Sequence, residues 1–228
     1  MNFSIDTNII IGLINSKDRI HEPSMDLMNN KRNDQLFLCN SALKESHNVL
    51  RNKINEIMAE IIRFLPDIYH ISNISTFDSQ YLLIEQFKKM KTKKPGIANF
   101  LDLVFHEISL FLKENEIDGL PTFLSELSIN LSGSIFLKIK ELYPDFEMIY
   151  LNLDRLNAVK KSLTEVYFKD TNDDRIFQEL MTNLEEIKPI EFILDDRDFA
   201  KKSMQGFENI ARDLGFADSD FTAKLLSD

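Results

Sequence analysis

Four acidic residues stand where an α/β fold could gather them: Asp6, Glu45, Asp173 and Asp196. Asp6 directly follows a short apolar run at 3–5, and Asp196 lies just past another at 191–194. Glu45 falls in the first turns of a helix predicted to follow a third run, 36–39. Asp173 opens a helix that leads into the last run. In a parallel sheet, sites form outside the carboxyl ends of the strands, so all four can reach one edge. Carboxylates gathered there raise one another's proton affinity. At neutral pH such a group is stable chiefly around a cation. Hard oxygen donors, with one Cys and no clustered His, select Mg²⁺ or Mn²⁺ over Zn²⁺. A cation so held can activate water against a phosphodiester and stabilise charge on the phosphate. Any one Asp after a strand is ordinarily a turn or cap residue; the conjunction of four is what points to chemistry.

The elements that must position these residues follow from apolar periodicity. The runs 3–5, 36–39 and 191–194 predict strands. The run 9–14 predicts a helix after the polar break Asp6, Thr7, Asn8. Asn40 or Ser41 is expected to cap a helix carrying Leu43, His47 and Leu50, with Ile54, Ile57 and Ile61 continuing the stripe. Asn172 is expected to cap a helix with the stripe Ile176, Phe177, Leu180, Met181 and Leu184. A final helix carries Phe207, Ile210 and Leu214, and Gly215 is its expected stop. Between these ends, Leu82, Ile84 and Phe87, then Phe100, Leu101, Val104 and Ile108, show helical spacing. The expected architecture is a parallel α/β sheet flanked by helices, formed by 1–64 and 161–228, with a helical insertion at 65–160. Lys88, Lys89, Lys91, Lys93 and Lys94 precede Pro95-Gly96 and predict an exposed basic loop, a candidate RNA contact.

With 43 % hydrophobic residues in 228, a substantial core is available, and 6 Gly with 6 Pro favour long helices. A net charge of −10 argues against broad nonspecific nucleic-acid binding. It does not exclude a nuclease, because a metal-holding carboxylate cluster is itself acidic and its bound cation restores attraction to phosphate. Cys39 is alone, which excludes an internal disulfide and a cysteine zinc cage, and its apolar neighbours predict burial. The longest apolar run, 9–14, falls far short of the ~20 residues of a membrane span. No basic leader opens the chain, so a soluble cytoplasmic protein with no membrane partner is expected. No phosphate-cradling glycine loop and no nucleophile elbow are present.

Four segments together resemble the PIN-domain nuclease family. IDTNIIIGLI (5–14) is similar to that family's opening strand, and LFLCNSALKESHNVL (36–50) to its second motif. NDDRIF (172–177) and ILDDRDF (193–199) are similar to the third and fourth. The resemblance implies a Rossmann-like sheet and a Mg²⁺- or Mn²⁺-dependent endoribonuclease. It makes Asp6, Glu45, Asp173 and Asp196 the metal and catalytic set, with Asp173 taken over Asp174 and Asp196 over Asp195. Thr7, Asn8, Ser41, Asn172, Asp174, Asp195 and Asp198 would support them. RNA is the implied substrate, in RNA processing or as a toxin held by an antitoxin. An inhibitory or scaffold protein partner and a homodimer are compatible with it. Two alternatives share the fold: a catalytically silent scaffold binding a protein through the insertion, and a DNA nuclease of the flap-endonuclease type. The Arg63/His70 spacing is similar to a motif of another ribonuclease class, the HEPN fold, but Pro66 is expected to interrupt the helix there.

Overall fold

The computed structural model describes residues 1–69 and 76–227. His70, and with it the Arg63/His70 pair, lies outside the described residues. The chain opens with β1 (Asn2–Ile5), α1 (Thr7–Ile14), α2 (His21–Asn30) and β2 (Gln35–Cys39). Four longer helices follow: α3 (Asn40–Tyr69), α4 (Thr76–Lys93), α5 (Ala98–Glu114) and α6 (Leu120–Leu142). It continues through β3 (Glu147–Ile149), α7 (Leu153–Ser162), α8 (Thr171–Thr182) and α9 (Leu184–Ile187). The last elements are β4 (Ile190–Leu194), α10 (Arg197–Leu214) and β5 (Phe221–Leu225).

The five strands form one parallel sheet in the order β3-β2-β1-β4-β5. Ile5 pairs with Ile193 across β1 and β4, and Phe3 with Leu36 across β1 and β2. The chain winds from β1 outward to β2 and β3, then returns to β4 on the other side of β1. The direction of winding therefore reverses between β1 and β4, the place where open α/β sheets leave a crevice at their carboxyl edge. Every residue of β4 is buried, and both β1 and β2 are buried after their first residue. That is why these three read as apolar runs. Glu191 breaks the run in β4; although buried, it bonds to Lys31 and Lys224. Phe3, Phe177, Phe192, Phe207 and Phe221 fill the core with no exposure or nearly none.

The chain divides into two compact units. The sheet unit comprises Met1–Ile14, Ile20–Ser46 and Ile135–Asp228. The second comprises Asn15–Arg19 and His47–Ser134 and is built of helices. Within it, Leu50, Ile54, Ile57, Ile61 and Leu65 make one buried stripe along α3. Phe87 of α4 meets Phe105 of α5 edge-on at 5.2 Å, and Phe111 stacks on Phe123 at 4.4 Å. No helix among the described residues is long and apolar enough to cross a membrane.

Several local expectations are corrected. β3 lies inside 65–160, which the sequence assigns to helix throughout, and β5 has no predicted counterpart. α3 continues through Pro66 to Tyr69 instead of ending there. The lysine segment is the last turns of α4, not a loop: Glu85 and Asp102 pair with its lysines and extend the helical surface. Gly215 does stop α10, in the left-handed conformation (φ 83°).

Two helical glycines give opposite expectations. A Cβ on Gly206 of α10 would stand 2.8 and 2.9 Å from the Phe177 ring and 3.1 Å from Leu163. Phe177 is fully buried and cannot swing away, so overpacking of about 1–3 kcal/mol outweighs the ~1 kcal/mol gain in helix propensity. Around Gly133 of α6 there is nothing within 4 Å. In urea melts, Gly206→Ala should lose stability and Gly133→Ala should gain up to ~1 kcal/mol.

Candidate active site

Asp6 is fixed where β1 becomes α1. Its N–H donates to the Ile193 carbonyl at 3.0 Å, bridging to β4. Its carbonyl accepts from the N–H groups of Ile9 and Ile10, which opens the helix. The carboxyl group is thereby held at the carboxyl end of the central strand with the residue 3 % exposed. Two further acids are fixed as helix caps, the role an Asp fills by accepting from unpaired N–H groups of the first turn. Asp196 Oδ1 accepts from the N–H groups of Asp198 (2.7 Å) and Phe199 (3.0 Å) and begins α10. Asp170 Oδ1 accepts from Asn172 N–H at 2.8 Å and begins α8. The expected cap of α8 was Asn172; with Asp170 in that place, Asn172 falls in the first turn and its side chain is released for another partner.

That partner is Glu45. Asn172 Nδ2 donates to Glu45 Oε1 at 3.1 Å, and the Thr7 hydroxyl donates to Glu45 Oε2 at 2.7 Å. Both residues hold the carboxylate from either side. Glu45, Asp173 and Asp196 then line one crevice of about 300 Å³, together with Asn8, Asp198 and Lys202. Asp170, Lys169, Phe168 and Phe199 complete its wall. Five carboxylates and two lysines thus face the same space. Asp6 is buried next to it and feels the charges of Asp173 and Glu45.

The remaining expected residues separate. Asp174 takes Gln178 Nε2 on its Oδ1 at 2.8 Å and lines a neighbouring cavity. Asp195 is half-buried in the turn before α10. Ser41 does not reach the crevice acids: its N–H and hydroxyl both donate to Glu179, at 2.9 and 2.8 Å. Glu179, 3 % exposed, so anchors the start of α3 to α8. Asp198 forms an ion pair with Lys169 at 2.8 Å, on exposed side chains where solvent screens it.

Asp6 and Asp173 are both pushed up to about 7. For Asp6 the chief cause is loss of solvent on burial, opposed by the Thr7 N–H and reinforced by the charges of Asp173 and Glu45. For Asp173 it is burial again, then Asp170, Glu45, Asp196 and Asp198. Burial also pushes the Cys39 thiol well up, as expected of an inert core cysteine. Among the described residues, no group of three or more His, Cys, Asp or Glu side chains is drawn close enough to close around a metal ion. The donors facing the crevice are carboxylate oxygens, the kind of ligand that a hard cation takes.

The five lysines at 88–94 belong to the helical unit. Lys88 pairs with Glu85 (2.8 Å), Lys91 with Asp102, and Lys94 with Glu60 (2.8 Å) and Glu56 (3.3 Å). Lys89 and Lys93 are exposed on α4. Of the crevice residues the sequence does not single out, Asp170 carried a signal: it stands two residues before Asn172, where a cap-forming Asp often sits. Lys169, Lys202 and Phe168 carried none, nor did Glu179 behind the crevice.

Comparison of the chain with family models, with curated proteins and with solved structures gives no match.

The raised carboxyl of Asp6 has a defined consequence for stability. Unfolded, the group ionises near 3.9; folded, it does so only at about 7. Between these values the folded state binds more protons, so this contribution to stability falls as pH rises from about 4 to about 7. Asp6→Asn removes the effect. In chelator, the variant should match wild type near pH 4 and exceed it at pH 8 by on the order of 2–4 kcal/mol. A variant less stable than wild type at pH 8 would make Asp6 a structural cap.

Proposed function

We propose that the chain is a divalent-metal-dependent nuclease of the PIN-like kind acting on RNA, with Asp6, Glu45, Asp173 and Asp196 as its metal-holding and catalytic set. The observation that carries this is a conjunction. Acids from four separate chain segments meet at the switch point of a parallel sheet, and two of them are protonated at pH values where isolated Asp is ionised. A group this costly to keep charged has little structural use, since apolar packing would stabilise the same positions better. When bound, Mg²⁺ or Mn²⁺ would supply an acidified water and neutralise charge on the phosphate.

The chain's own residues contribute the frame. Thr7 and Asn172 orient the Glu45 carboxylate from both sides. Asp196 is oriented by the first turn of α10. Asp173, half-exposed, faces the same crevice as Glu45 and Asp196 and would complete their set of oxygen donors. Lys169 and Lys202 on the rim offer positive charge to a phosphodiester that would otherwise be repelled.

The test uses labelled single-stranded RNA and DNA with Mn²⁺, Mg²⁺ or EDTA. RNA should be cleaved with either metal and not with EDTA, and Asp6→Asn and Asp173→Asn should each lower the rate at least ~100-fold, the loss of several kcal/mol of transition-state stabilisation. In parallel melts at pH 8, Mn²⁺ should raise the wild-type melting temperature by mass action and leave that of Asp6→Asn nearly unchanged. Cleavage that persists in EDTA would refute the metal. Stabilisation by Mn²⁺ without cleavage would instead favour a silent scaffold that keeps the cation site.

A further inference from the structure

We propose that the cavity adjoining the carboxylate crevice is a nucleobase subsite, in which a base of single-stranded RNA stacks on Tyr167 while the neighbouring phosphate lies at the carboxylates. The proposal rests on the nuclease reading of that crevice. Tyr167 is 83 % exposed, more than any other large hydrophobic side chain among the described residues. A single exposed aromatic ring needs no explanation by itself; its surroundings do. It lines a cavity of about 450 Å³, within the ~300–1,000 Å³ usual for ligand sites. Phe168 and Asp170 line both this cavity and the carboxylate crevice, so the two spaces share a wall.

The ring is carried on a fixed backbone. The segment between α7 and α8 is pinned by Leu163 and Val166, 8 and 7 % exposed. Phe168 is held against Phe177 at 5.2 Å and Phe199 at 5.8 Å. Of the apolar side chains of this segment, Leu163, Val166, Tyr167 and Phe168, Tyr167 is the exposed one, and a Tyr side chain, with few torsions to fix, loses little entropy on stacking. The cavity also contains a polar pair, the buried Gln178 bonded to Asp174 at 2.8 Å, which can pair with the edge of a base. Charge is distributed to suit a strand. Lys160 lines the outer cavity, and Lys169 and Lys202 line the crevice. Aromatic platforms flanked by cations are how proteins hold unpaired strands, because every base has a π face. A base within a duplex cannot present that face.

The chain contains no Trp, so Tyr167→Trp introduces a sole indole reporter. Its fluorescence is followed in EDTA while single-stranded RNA, an abasic strand of equal length, or duplex RNA is added. Quenching by single-stranded RNA alone is expected. In fluorescence anisotropy, Tyr167→Ala should weaken single-stranded RNA binding roughly 5- to 150-fold, the effect of losing one stacked base, and leave affinity for the abasic strand unchanged. Melting of Tyr167→Ala should match wild type, since the ring is exposed. Equal quenching by the abasic strand, or wild-type RNA affinity of Tyr167→Ala, overturns the subsite and leaves the nuclease reading intact. RNA-specific quenching with no cleavage in any metal upholds base docking and removes the nuclease reading.

Discussion

Burial of one carboxylic acid, Asp6, is the constraint on which the sheet unit turns. It occupies the end of the central strand, is tied by its N–H to β4, and starts α1 with its carbonyl. An ionised group there must give up water, which costs several kcal/mol even after relaxation. The surroundings do not cancel that cost. Two backbone N–H groups help the charged form, while Asp173 and Glu45 oppose it. A Leu or Val would fill the same place more cheaply, as the buried Ile5 before it and Ile9 and Ile10 after it do. The fold thus carries a local conflict between packing and charge, of the sort found where function is paid for in stability.

Everything around Asp6 arranges further acids so that the conflict is shared. Asp196 and Asp170 are presented by helix starts, where each also satisfies N–H groups that need an acceptor. Capping explains why these acids persist individually; their common orientation toward one crevice is a property of the topology. Thr7 and Asn172 fix Glu45 through two partly buried hydrogen bonds that an apolar residue would not require. Glu179 acts one layer behind, holding the start of α3 through Ser41 so that Glu45 is delivered at the right height. Protonation relieves the repulsion below neutrality, and a divalent cation would relieve it above.

What the sequence made legible has a physical pattern. β1, β2 and β4 are enclosed on both faces and spell apolar runs, so they could be read directly. β3 and β5 are edge strands with half-exposed residues; the three residues of β3 and the mixed Phe221–Leu225 leave no run to detect. Asp6, Glu45, Asp173 and Asp196 stand out in the sequence because each lies just past the carboxyl end of a strand or in the opening turns of a helix, positions that a parallel sheet can bring to one edge. The apolar stripe of α8 separates Asp173 from Asp174: the first lines the carboxylate crevice and the second the neighbouring cavity. The roles of Ser41 and of the lysines were not legible. Ser41 is bonded to a residue 138 positions away, and Lys94 to glutamates on another helix; neither partner leaves a trace in local sequence. Tyr167 stands in the short apolar run 166–168, which reads as core, and its exposure has meaning only beside the cavity it lines.

Burial first, and mutual repulsion behind it, push Asp6 and Asp173 up to about 7, a cost that we propose a bound cation relieves. Carboxyl carbon NMR of Asp-labelled protein, titrated with pH in the absence and presence of Mg²⁺, tests it directly. Two aspartate resonances, identified by Asp6→Asn and Asp173→Asn, should titrate near 7 without metal and move down into the ordinary carboxylate range, about 4 or below, when Mg²⁺ is added. If every aspartate titrates in the ordinary range without metal and none responds to Mg²⁺, the crevice is only a group of helix caps and the account is wrong.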